Sequence, residues 1–125
     1  MTRFLPLLAV MIGIFFVSHQ PGSSIDLPLI PGIDKVLHGF AYAVLAAAAS
    51  YAFPEWLARP VGRFRGVWIV LFCVLYGLSD EFHQTFIPQR TATLGDLMAD
   101  GFGAFCWVVV SRRFGFLKLI GFTGE

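Results

Sequence analysis

Charged and titratable residues stand at the ends of apolar stretches long enough to be membrane helices, and they gather toward one end of those stretches. Asp34, Lys35 and His38 open the second stretch, Asp80 and Glu81 close the third, and Asp100 lies early in the fourth, with Arg90 and Asp96 nearby in sequence. Ionisable groups at membrane depth are costly, so they face a bundle interior or a wet cavity and mark a functional site. This pattern restricts the chain to folds that collect several helix ends in one layer.

Composition agrees with that restriction. Of the 125 residues, 57% are hydrophobic and only 14% charged, with a mean hydropathy of +0.74. A small soluble domain leaves too much surface in water to accommodate such a composition. A net charge of +1 gives no field that would draw nucleic acid. Cys73 and Cys106 each lie deep in an apolar stretch, where a thiol behaves as a small hydrophobe, and they receive no role.

The apolar stretches run over 4–17, 36–53, 66–82 and 94–114. Each approaches the ~20 residues that cross a ~30 Å hydrocarbon core, the first being short. The expected fold is therefore all-α: a polytopic bundle of four transmembrane helices forming one domain over residues 1–125, with its motif-bearing core at 34–107. No small-x-small cleavage site follows the first stretch, so it reads as an uncleaved anchor. The segment 19–33 carries Pro21, Gly22, Pro28, Pro31 and Gly32 and reads as a turn-rich loop; 54–65 reads as a short basic loop. Thr93 with Asp96 three residues later signals a helix start resembling a capping box, with Asp in place of Glu.

Cation placement gives an orientation. Arg3, Arg59, Arg63, Arg65, Arg112, Arg113 and Lys118 share one side if there are four spans, and the other side holds only Lys35 and Arg90. Cytoplasmic loops are enriched in Lys and Arg, so both termini are expected in the cytoplasm and the acidic layer outside.

Helical spacing then sets the chemistry. Asp34, His38 and Tyr42 fall on one stripe at i, i+4 and i+8, so that Asp34 is placed to orient the His38 ring. Asp80 aligns with Gln84, Glu81 with Gly77, and Asp96 with Asp100. At ~1.5 Å per residue, His38, Asp80, Glu81 and Asp100 lie within about two turns of the same surface. Arg90 is placed to cap this layer, pairing with a carboxylate or gripping a phosphate. The candidate ligand-binding set is Lys35, His38, Tyr42, Asp80, Glu81, Gln84, Arg90, Asp96 and Asp100. Gly39, Gly77, Gly101 and Gly103 read as packing positions, and His19 and His83 as interfacial residues.

The ordered combination Asp34-Lys35-x-x-His38, Asp80-Glu81-x-x-Gln84, Pro88-x-Arg90 and a following Asp96 resembles the VanZ-like family of small bacterial membrane proteins. The likeness runs from about Asp34 to Trp107, with one departure at Asp100, where Asn is the expected residue. It implies a multi-helix protein of the bacterial inner membrane, linked to glycopeptide resistance and in particular to teicoplanin, without a defined reaction.

Two functions follow as expectations. The favoured one is an outward polar pocket that binds a lipid head group, a cell-wall lipid precursor or an amphiphilic glycopeptide. Its alternative is an intramembrane hydrolase or transferase acting on a phosphorylated lipid, with His38 and Asp34 as base, Glu81 or Asp80 as acid, and Arg90 on the phosphate. No HExxH or comparable zinc signature is present, so the site is read without a metal, although His38, Asp80, Glu81, Asp96 and Asp100 offer ligands for a divalent ion. The sequence names no cofactor. A transport pathway is disfavoured because polar groups are confined to one end. Membrane lipids are the expected partners, and so small a bundle makes self-association plausible.

Overall fold

The computed structural model describes residues 1–24, 30–58 and 66–119. Its helices are α1 (Phe4–Ser18), α2 (Ile33–Ala52), the short α3 (Pro54–Ala58), α4 (Val67–Gln84), α5 (Leu94–Arg113) and the short α6 (Phe116–Leu119), with a 3-10 turn at Gly22–Ser24. No strand occurs among the described residues, in agreement with the all-α expectation. Arg59, Arg63 and Arg65, three of the cations behind the orientation argument, lie outside the described residues.

Helix ends are set by local chemistry. Pro31 precedes α2, which begins at Ile33 and so takes Asp34 and Lys35 into its first turn, earlier than the apolar stretch suggests. Pro54 occupies the first position of α3, where its missing N–H is no loss. Thr93 caps α5: its side-chain oxygen accepts from the Asp96 N–H at 3.1 Å. Arg112 and Arg113 stand in the last turn of α5, where cations complement the helix dipole.

Helices α1 and α4 run in one direction, α2 and α5 in the other. The most extensive pairing joins α2 to α5. These two backbones meet where Gly103 faces Gly39, and a Cβ on Gly103 would collide with the Gly39 carbonyl. Only a residue without a side chain permits that approach. Below this crossing the interior is lined by Leu45, Ala46, Ala49, Ile69, Cys73, Ala104 and Val108. The Trp107 indole donates to the Ser50 hydroxyl at 3.0 Å, and that hydroxyl in turn donates to the Ala46 carbonyl at 2.7 Å.

The distribution of polarity reverses that of a soluble bundle. Asp80, Glu81, Gln84, Asp96 and Asp100 are buried, while Phe40, Phe82 and Phe102 are 70%, 68% and 67% exposed. By length and composition one helix, Leu94–Arg113, is sufficient to cross a membrane, and Phe4–Ser18 is a shorter apolar helix. The first two turns of α2 bear the charged pair Asp34 and Lys35, and the last two turns of α4 bear Asp80 and Glu81.

Candidate functional site

Four helices deliver polar side chains to one end of the bundle: Ser18 at the end of α1, Asp34 to Tyr42 on α2, Asp80 to Gln84 on α4, and Asp96 and Asp100 on α5. The layer that helical spacing implies is thus assembled, but its bonds differ from those that spacing suggests.

His38 is the first difference. Its Nδ1 lies 2.9 Å from Asp100 Oδ1, so its partner comes from α5 and not from Asp34 one turn away. Asp34 instead accepts from the Lys35 ammonium at 3.0 Å, and the same ammonium reaches Asp96 Oδ1 at 3.0 Å. The expected Asp34–His38 unit is therefore replaced by two separate pairs, one half exposed at the rim and one inside. An α2 residue three or four positions from its neighbour meets it only if neither has a better partner across the interface, and α5 packs close enough to supply one.

The cap of α5 is the second difference. Asp96 does not fold back on Thr93, because Lys35 holds its carboxylate; the Thr93 N–H donates instead to Glu81 Oε2 on α4 at 3.2 Å. A capping box expected within one helix is completed by a neighbouring helix.

Arg90 is the third. Its Nε donates to the Gln20 carbonyl at 3.0 Å and its Nη2 to the Val17 carbonyl at 2.9 Å. These carbonyls lie at the end of α1, where helical partners run out, so the guanidinium ties the α4–α5 loop to α1. Neither Asp80 nor Asp96 forms an ion pair with Arg90.

Asp80 accepts from the Ser18 hydroxyl at 2.8 Å and from the Gln84 amide at 3.3 Å, which confirms the Asp80–Gln84 alignment and adds α1 to the site. Ser18 escapes sequence reasoning because a lone serine at a helix end carries no signal of its own. His19 and His83 stack on each other and on Phe15, with their ring nitrogens 3.1 Å apart.

Among the described residues, four buried polar atoms have no hydrogen-bond partner: Tyr42 Oη, Glu81 Oε1, His83 Nδ1 and Asp100 Oδ2. Buried polar groups are ordinarily satisfied, so each invites an explanation. Gly77 leaves the room that Asp100 occupies, since a Cβ there would stand 2.8 Å from Asp100 Oδ2 and 3.3 Å from the Tyr42 ring. Cys73 and Cys106 are free thiols, the first buried.

Beside this cluster lies a cleft of about 380 Å³. Val10, Gly13, Ile14, Leu37 and Val44 form its apolar wall, and Asp34, His38, Asp80, Gln84 and Arg90 its polar end. The cleft thus joins an apolar wall to a polar mouth. The His38–Asp100 pair also has the form of an oriented base, since a carboxylate on one ring nitrogen fixes the tautomer and leaves the other nitrogen for proton transfer.

The chain is 33% identical over 96 residues to an uncharacterized protein of Schizosaccharomyces pombe, C11E3.10. Those residues make up 77% of this chain and 56% of the other, so the chain spans little more than half the length of that relative. No solved structure matches it. The VanZ/LLP1 family model matches residues 4–117, which takes in α1 to α5 and the whole of the polar layer, and the chain accordingly belongs to the VanZ/LLP1 family.

Proposed function

We propose that α1, α2, α4 and α5 each cross the membrane, and that the cleft binds a membrane lipid with its head group at Asp34, His38, Asp80, Gln84 and Arg90. The observation that carries this reading is the cleft itself, an apolar wall leading into a polar mouth. The exposed Phe40, Phe82 and Phe102 suit contact with lipid tails, and the buried carboxylates suit an interior shielded from them. Both termini are cytoplasmic in this reading, because Arg3, Arg112 and Arg113 stand at the bundle end opposite the polar layer. The head group is one that combines an anion with hydrogen-bond donors: Arg90 attracts the first, and Asp34 and Asp80 accept from the second.

An acylated glycopeptide such as teicoplanin shares the required form, a chain joined to a polar head, and altered susceptibility to it would follow from competition for the same cleft.

The test is native mass spectrometry of the protein in mild detergent, comparing wild type with Gly13→Leu. A Cβ at Gly13 meets nothing within 4 Å and the residue lines the cleft, so leucine fills the wall without a clash and improves the helix. A co-purifying lipid present in wild type and lost in Gly13→Leu supports the reading; equal occupancy in both overturns it.

The 2.9 Å His38–Asp100 bond favours a second reading, in which His38 acts as general base in cleaving a phosphorylated lipid. Its test is phosphate release from such a lipid, abolished in His38→Asn.

A further inference from the structure

Glu81 and Asp100 are the most deeply placed carboxylates with unmet chemistry. Each has one oxygen engaged, Glu81 by the Thr93 N–H and Asp100 by His38, and one oxygen buried with no partner. Asp100 is fully buried and Glu81 is 6% exposed. Cationic side chains do not answer them: the Lys35 ammonium is held by Asp34 and Asp96, and the Arg90 guanidinium by the carbonyls of α1. Among the described residues only the His38 imidazole is at hand. Buried charges are paired or coordinate metals, and two carboxylates with one imidazole form a mixed nitrogen and oxygen donor set with a formal charge of about −2 when the imidazole is neutral.

Donor atoms of His38, Glu81 and Asp100 lie within 4.8 Å of one another. Around a single tetrahedral ion with bonds of about 2.1 Å, donors stand roughly 3.4 Å apart, so binding draws this set inward by up to about 1.4 Å. Each residue comes from a different helix, α2, α4 and α5, so an ion here would join three elements. The third wall is ready as well: Gly77 makes room for Asp100, and the buried Tyr42 hydroxyl beside it has no partner of its own.

We propose that His38, Glu81 and Asp100 hold one divalent transition ion per chain, of the kind that accepts both imidazole and carboxylate, such as Mn²⁺ or Zn²⁺. The ion neutralises the two carboxylates, each of which keeps a buried oxygen without a partner. Of the three ligands only His38 also lines the lipid cleft; Glu81 and Asp100 do not.

The experiment uses the full chain in detergent, stripped with a chelator and titrated with Mn²⁺, reading free ion by its electron paramagnetic resonance signal. The expected result is one Mn²⁺ per chain, displaced by Zn²⁺, with Glu81→Gln and Asp100→Asn each weakening binding at least tenfold. Asp96→Asn, a carboxylate of the same layer held by Lys35, leaves the affinity unchanged. Gly13→Leu also leaves it unchanged, which separates failure of this inference from failure of the lipid reading. Circular dichroism checks that each variant folds, and His38→Asn replaces any that does not. Absence of saturable binding in wild type overturns the inference and assigns the neutralising charge to protons. Equal weakening by Asp96→Asn overturns it in favour of diffuse attraction to an acidic end, and full binding by folded Glu81→Gln and Asp100→Asn does so too.

Discussion

The two halves of this bundle are built from the same helices and obey different rules. Toward Ala52 and Arg113, alanines and branched aliphatics close the interior, and the polar crossing there, Trp107 to Ser50, has both partners satisfied. Toward Asp34 and Leu94, each of the four long helices brings polar groups inward, and all four unpartnered buried polar atoms found among the described residues fall there. In the proposed membrane-spanning reading the surroundings are as apolar as leucine, so packing of small residues and satisfied hydrogen bonds would hold the bundle together. A half that closes fully serves stability. A half that keeps unmet donors and acceptors is poised to meet something else.

That contrast can be tested by substitution in each half. The largest effect is expected at the seam between them: Gly103→Val forces a side chain into the Gly39 backbone and should cost about 3 kcal/mol or more, seen as loss of folded protein in a detergent melting experiment. Arg90→Met removes two charge-assisted bonds from the end of α1; because they are exposed, the expected cost is about 1 kcal/mol, with faster hydrogen exchange confined to the last turn of α1. Trp107→Phe breaks the bond from α5 to α2 in the apolar half and should cost about 0.6–1 kcal/mol by thermal scan, with ligand occupancy unchanged.

The polar half should behave in the opposite sense. Glu81→Gln removes a buried charge and keeps a group that accepts from Thr93, so the melting temperature should hold or rise while function falls. A stability loss there equal to that of the Gly103 variant, with no change in bound lipid or ion, would erase the distinction between the halves. The smallest effect belongs to the rim: Asp34→Asn removes a half-exposed pair and leaves Lys35 with Asp96, so the melting temperature should stay unchanged within error.

Much of the fold was legible because its signals are local. Apolar runs, Pro31, Pro54 and the Thr93 cap placed the long helices to within three residues at each start, and Gly39 and Gly103 were recognisable as packing positions. The short α3 and α6 were not, since each is a turn or so of helix with no periodicity to read. The identities of the polar layer were legible too, because His38, Asp80, Glu81 and Asp100 stand at helical positions that any antiparallel packing brings to one end.

Their pairings were not. Spacing along α2 favours Asp34 as the partner of His38, and spacing along α5 favours Asp96 as the partner of Thr93; the folded chain gives His38 to Asp100 and the Thr93 N–H to Glu81. Arg90 goes to the carbonyls of α1, and Ser18 enters the site although nothing in its neighbourhood marks it. A sequence fixes which residues share a helix face, because 3.6 residues per turn is a property of one strand of backbone. Which face meets which, at what depth and rotation, is settled by how closely helices pack, and here by the contact of Gly103 with Gly39, which sets α5 deep enough against α2 for Asp100 to reach His38.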